Sequence, residues 1–194
     1  MSDDRGPLVY VMGPSGAGKD AVLDRVRRML PDDAPVAFAH RYITRPADAG
    51  GENHVALSPA EFERRRAHGL FAFHWTAHGN TYGIGCEIHA WRQAGLTVVV
   101  SGSREHFRTD ASLVTGAHPV LITASAERLA QRLTERGRED RQEALARLRR
   151  GEAYAVKDYR LVTIVNDGAL DDAAQALLSL LATLRSRPAV RRQA

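Results

Sequence analysis

The chain has 194 residues, 44% of them apolar and 26% charged. That is about one domain's length with an ordinary globular balance, which excludes a disordered, collagen-like or disulfide-scaffold protein. The net charge of +4 sits at the end of the chain: no acid follows Asp172, whereas Arg185, Arg187, Arg191 and Arg192 do. Residues 1–184 hold 23 basic and 23 acidic groups. Residues 185–194 therefore read as a flexible, solvated basic tail, and neither nucleic acid nor a membrane is expected as a partner. No apolar run approaches the roughly 20 residues that span a bilayer. The lone Cys86 allows no internal disulfide and no cysteine zinc cluster. The acidic start, Met1-Ser2-Asp3-Asp4, lacks the pattern of a signal peptide, so a cytoplasmic protein is expected.

Leu8–Met12 is a short apolar run that reads as a buried strand, and it ends in a glycine-rich turn. From Lys19, the apolar positions Val22, Leu23, Val26, Met29 and Leu30 follow a helical period that Pro31 stops. Val36–Ala39 is a second strand, and 46–54 a loop. Ser58-Pro59-Ala60-Glu61 is a helix start, with Ser as N-cap, Pro at the first position and Glu at the third. Strands follow around 95–102, 119–123 and 161–165. Residues 126–153 are helical and Arg-rich, broken near Gly137, and Leu170–Leu184 is a last amphipathic helix. Strands alternating with helices imply an α/β fold with a parallel sheet covered on both faces. A single domain over 1–184 is expected.

Gly13-Pro14-Ser15-Gly16-Ala17-Gly18-Lys19-Asp20 fits the spacing G-x-x-x-x-G-K, between strand and helix. Glycines let backbone amides turn inward around phosphate oxygens, and the helix N-terminus adds positive partial charge. Lys19 supplies a point charge to the β- and γ-phosphates, and Gly13–Ala21 is the expected nucleotide-binding stretch. The chain has only two lysines, Lys19 and Lys157, against 25 arginines. A lysine kept against that bias is kept where arginine will not serve. Lys19 is expected on an exposed loop, contributing little to packing. Asp20 stands where Ser or Thr is usual. Its carboxylate is a hard ligand suited to Mg²⁺, and the strand ending in Ser101-Gly102-Ser103 offers no acid of its own. Asp20 is therefore read as the metal residue, the carboxylate having moved from strand end to loop.

With Arg41-Tyr42-Ile43-Thr44-Arg45-Pro46, Phe62, Trp75–Gly83, Arg132–Gly137 and Val165-Asn166-Asp167 in order, the chain resembles the guanylate kinases over nearly its whole length. It departs from them where they carry an acid before the Trp (here His74), two acids at a strand end (here Ser101 and Ser103) and a phosphate-holding Tyr (here His54). With Ala39–Arg45, Gly51–Ser58 and Gly102-Ser103-Arg104, that pattern is similar to the ribose 1,5-bisphosphate phosphokinase (PhnN) family of phosphonate metabolism. The resemblance implies a P-loop kinase fold: a parallel five-stranded core sheet flanked by helices, an acceptor lobe at about 40–92 and an Arg-rich lid at about 126–150. It also implies ATP and ribose 1,5-bisphosphate as substrates, Mg²⁺ as cofactor and 5-phosphoribosyl 1-diphosphate as product.

An anionic phosphate acceptor needs no strong base, so catalysis reduces to positioning and charge neutralisation. Arg41, Arg45, Arg104, Ser103, His54, His74 and Tyr82 suit a sugar carrying two phosphates. Lys19, Arg136, Arg138 and Arg147 are the expected catalytic cations, the three arginines closing over the transferred group. Arg128 and Arg132 read as solvated helix-face charges. His74 and His78 lie four apart, but in a context that is not helical, and no metal site is expected there. Two alternatives remain: a nucleoside monophosphate kinase with altered acceptor choice, and a non-catalytic guanylate kinase-like binding module.

Overall fold

The computed structural model describes residues 5–48, 54–135 and 156–186. They fall into two compact units, one built around Pro35–Ser101, the other around Val9–Ala34 and Gly102–Ser186. A five-stranded sheet has the strand order β2-β7-β1-β8-β9. Its strands are β1 (Leu8–Met12), β2 (Val36–Phe38), β7 (Thr97–Ser101), β8 (His118–Thr123) and β9 (Val162–Val165). The β2–β7, β1–β8 and β8–β9 pairings are all parallel. β1 and β7 are buried at every residue, with Leu8–Met12 and Val98–Val100 supplying the apolar runs that a parallel sheet covered on both faces requires.

In the second unit, α1 (Lys19–Met29) buries Val22, Leu23 and Val26. The C-terminal helix, α7 (Leu170–Ser186), turns Ala173, Ala174, Leu177, Leu181 and Leu184 inward, a stripe at three- and four-residue steps. The two helices pack together. Each fully buried Leu or Val on these faces contributes about 1.5–3 kcal/mol. α4 (Arg104–Thr109) and α5 (Ala111–Gly116) carry the chain to β8, and α6 (Ala126–Glu135) follows it.

The Tyr10 hydroxyl ties β1 to the start of α4. It accepts from the Ser103 amide at 3.1 Å and lies 3.1 Å from His106 Nδ1. A Cβ on Gly102 would collide with the Tyr10 hydroxyl, so only glycine lets the chain pass there.

The first unit holds a four-stranded sheet that the alternation of strands and helices does not announce. Its order is β4-β3-β6-β5, from β3 (Arg41–Ile43), β4 (Val55–Ala56), β5 (Phe71–Ala77) and β6 (Asn80–Gly85). The β3–β6 and β5–β6 pairings are antiparallel. β5 and β6 join through His78 (φ 50) and Gly79 (φ 73), both left-handed, the two-residue turn that matches strand twist. α2 (Pro59–Ala67) begins as its sequence requires, with the Ser58 hydroxyl accepting from the Glu61 amide at 3.1 Å. α3 (Glu87–Gln93) leads toward β7.

Candidate functional site

The second unit carries the phosphate loop between β1 and α1. Gly16 (φ 87) and Gly18 (φ 79) are both left-handed, a conformation that L side chains rarely adopt. Gly13 lies so close to the Ile122 carbonyl that a Cβ there would strike it. Gly18 is the N-cap of α1 and provides no side-chain cap. The first turn of that helix is thus left to bind an anion with its amides.

Lys19 Nζ lies 3.2 Å from Asp20 Oδ1, with side chains 12% and 42% exposed. Lys19 is therefore a largely covered side chain rather than the exposed one the loop suggested. Lys19 stands at the first position of α1, directly after the Gly18 N-cap.

The back of the loop is held by two residues from the far end of the unit. Asn166 is buried, 3% exposed. Its Nδ2 donates to the Ala17 carbonyl at 2.8 Å. Arg132 Nη1 reaches the carbonyls of Gly16 and Ala17, each at 3.4 Å, and Nη2 donates to the Asn166 carbonyl at 2.9 Å. Arg132 is thus no solvated helix-face charge, which corrects the sequence reading. It stands three residues after buried Leu129, on the side of α6 that turns inward, and that spacing is the signal that could have found it. Arg128 is exposed, as expected. Gly16, Gly18, Ala21, Arg132, Asn166, Gly168 and Leu170 line a cavity of about 340 Å³ beside the loop.

In the first unit, register sorts the expected acceptor residues onto two faces of the smaller sheet. Ile43 lies opposite Tyr82, and Tyr82 opposite Trp75. Arg41, two residues from Ile43, shares that face. The Trp75 and Tyr82 rings stack at 5.4 Å between centroids, 5° apart, and the Arg41 guanidinium lies 5.6 Å from the Tyr82 centroid. His74 pairs with Gly83, and Gly83 with Tyr42, so His74 belongs to the opposite face. That face also carries the Tyr42–Phe71 contact and, from α2, Phe62 stacked on Phe71 and Arg65 over Tyr42. The structure therefore does not bring His74 together with Arg41 and Tyr82.

Arg45 and His54 do meet, at either end of the loop between β3 and β4. His54, 9% exposed, places Nδ1 3.4 Å from Arg45 Nη2 and Nε2 3.2 Å from the Arg45 carbonyl. Ser103 caps α4, its hydroxyl accepting from the His106 amide, and Arg104 opens that helix in the second unit. The expected lid residues Arg136, Arg138 and Arg147 lie outside the described residues. Among the described residues, no three His, Cys, Asp or Glu side chains converge as a metal cluster. Ser101 is buried with its hydroxyl unpartnered.

With this geometry in view, the guanylate kinase family profile matches residues 5–184. The ribose 1,5-bisphosphate phosphokinase PhnN of Desulfomicrobium baculatum is 51% identical over 174 residues, 90% of this chain and 93% of that protein. The chain belongs to the ribose 1,5-bisphosphate phosphokinase branch of the guanylate kinase family. The ribose 1,5-bisphosphate phosphokinase PhnN of Dickeya zeae is 49% identical over 181 residues, 92% of this chain and 95% of that protein. The crystal structure of guanylate kinase from Anaplasma phagocytophilum shares the fold, with a TM-score of 0.69 at 18% identity over 97% of this chain and 90% of that one. In this fold the glycine-rich turn of Gly13–Asp20 lies between β1 and the start of α1.

Proposed function

We propose that this chain transfers the γ-phosphoryl group of ATP to ribose 1,5-bisphosphate, giving ADP and 5-phosphoribosyl 1-diphosphate. What carries the reading is a chain-long likeness to phosphokinases named for that acceptor, joined to an intact phosphate loop. An oxygen of the acceptor's 1-phosphate attacks the γ-phosphorus, the bond to the β,γ-bridging oxygen breaks, and ADP leaves with that electron pair. The attacking oxygen is already anionic, so the chain supplies charge and position rather than a base. Lys19 and the amides at the start of α1 neutralise the donor phosphates. Arg41, Arg45 and Tyr82 take the acceptor, with His54 beside Arg45. Arg104 and Ser103 are further proposed acceptor residues, and Arg136, Arg138 and Arg147 the proposed lid; His74, on the opposite face of the smaller sheet from Arg41 and Tyr82, is not among them.

Mg²⁺ fits the residues present. It keeps several waters and takes one or two carboxylates plus substrate phosphates, so a three-residue cluster is not required. Asp20, partly exposed at the loop and next to Lys19, is the carboxylate that would hold it. When bound, the ion would offset charge on the donor phosphates. Among the described residues no helix is long and apolar enough to cross a membrane. The reading puts the enzyme in the cytoplasm with small-molecule substrates, in phosphonate metabolism.

An ADP-release assay with parallel acceptors tests the proposal. Ribose 1,5-bisphosphate should turn over far faster than guanosine monophosphate, since a pocket without base readers gains nothing from a base. Equal or faster turnover of the nucleotide would instead make the protein a nucleoside monophosphate kinase, and no ADP with any acceptor a binding module.

A further inference from the structure

We propose that Asn166 is a positioning residue for the phosphate loop: its carboxamide sets the orientation of the peptide between Ala17 and Gly18, and so aims the Gly18 amide at the donor phosphates. The inference rests on that loop being the donor site and goes beyond the acceptor chemistry proposed above. Asn166 sits 149 residues along the chain from Ala17, so nothing local fixes the contact. The tertiary fold brings it there. Its own amide donates to the Thr123 carbonyl at 2.7 Å, and its carbonyl accepts from Arg132 at 2.9 Å. The next residue, Asp167, accepts from the Ser125 amide at 2.7 Å. The backbone that presents the Asn166 side chain is therefore fastened at three points to the end of β8, to α6 and to the residue that leads into it.

From that anchored position Nδ2 donates to the Ala17 carbonyl at 2.8 Å in a buried setting. A trans peptide points its C=O and its N–H in opposite directions. Drawing the Ala17 carbonyl toward Asn166 thus turns the Gly18 N–H to the other side, away from Asn166. The contact also explains why glycine occupies position 18: a Cβ there would lie 2.5 Å from Asn166 Nδ2, at a φ of 79 that disfavours a side chain in any case. The same carbonyl also receives Arg132 Nη1 at 3.4 Å. The shorter, buried Asn166 bond is the one that decides its direction. Without it, that carbonyl keeps the longer Arg132 contact, the peptide is less firmly set, and more of the ordering of the loop falls to the nucleotide, at a cost in affinity.

The experiment compares wild type with Asn166→Ala, which removes the donor, and Asn166→Asp, which keeps the size but sets an acceptor against a carbonyl. Calorimetry with inorganic tripolyphosphate and with ADP reads the donor site directly. Both ligands should weaken by about tenfold or more in both variants, and by the same factor, because the lost element is a phosphate contact. KM for ATP should rise while KM for the acceptor stays at the wild-type value. Unchanged tripolyphosphate binding would overturn the proposal. So would a loss confined to ADP, which would make Asn166 a contact to the nucleoside. Loss of the fold in both variants, read by circular dichroism, would also overturn it and assign Asn166 to the core. If wild type fails to phosphorylate ribose 1,5-bisphosphate yet binds tripolyphosphate in an Asn166-dependent way, the proposed function fails and this inference stands.

Discussion

His54 and Arg45 hold each other through both ring nitrogens: Nε2 lies 3.2 Å from the Arg45 carbonyl and Nδ1 3.4 Å from Arg45 Nη2. A carbonyl only accepts and a guanidinium only donates, so Nε2 carries the hydrogen and Nδ1 accepts. The sequence offers His54 as an acceptor-binding residue, and we propose that it acts there by fixing Arg45. His54→Ala should raise KM for the acceptor about tenfold, with a smaller change in kcat and none in KM for ATP. Steady-state kinetics with each substrate varied in turn checks this. An unchanged acceptor KM would return His54 to a purely structural role.

Lys19→Ala should lower kcat by about 10²–10³-fold, the usual loss for one charge contact made in a transition state. The side chain is largely covered, yet its ion pair with Asp20 is partly solvated and worth about 1 kcal/mol at most. The melting temperature should fall by no more than about 2–4 °C. Calorimetric melting alongside single-turnover kinetics separates the two effects, and near-normal turnover would contradict the phosphate-loop role.

Asp20→Asn keeps the shape of the side chain and removes its charge. Half-maximal activity should then need about tenfold more Mg²⁺, while metal-free ADP binding stays within about twofold. A Mg²⁺ titration of activity beside metal-free calorimetry reads both. An unshifted Mg²⁺ dependence would leave Asp20 as an acid placed only to favour the helix start.

Asp110 gives a prediction for stability. Its carboxylate caps α5, accepting from the Ser112 amide at 2.9 Å and the Leu113 amide at 3.3 Å. Partial burial pushes its pKa up, but the Ser112 hydroxyl and these two amides outweigh that and hold it below the usual aspartate range, helped by nearby His106. A pKa lowered by folding contributes stability above the unfolded value and loses it as pH falls through the folded one. Asp110→Ala should therefore cost about 1 kcal/mol near neutral pH, with the gap to wild type narrowing below about pH 4. Urea midpoints across that range check it; a gap that widens in acid would contradict it.

Much of this arrangement was legible in the residues. Glycine spacing before Lys19 announced the phosphate loop because few other roles need three glycines there, and Ser58-Pro59 announced its helix because capping chemistry is local. The smaller sheet was not announced. β6 is Asn-Thr-Tyr-Gly-Ile-Gly, whose two glycines are unusual in a strand, and one of its two partners, β3, comes from far back in the chain. The face that His74 occupies depends on the β5–β6 register, which fixes it only once the His78-Gly79 turn is placed. Asn166 escaped for a related reason, and so did the task of Arg132, whose spacing from Leu129 marks it as facing inward without saying what it meets. Their partners are the carbonyls of Gly16 and Ala17, and backbone acceptors leave no mark in a sequence.

The chemical identity of the acceptor is settled most directly by identifying the products. Wild-type protein is incubated with ATP, Mg²⁺ and ribose 1,5-bisphosphate, and the products are read by phosphorus NMR. ADP and a new diphosphate on C1 of the sugar are expected in equal amounts, with the 5-phosphate unchanged. Recovery of intact ribose 1,5-bisphosphate, with guanosine diphosphate forming when the monophosphate is added, would contradict that expectation.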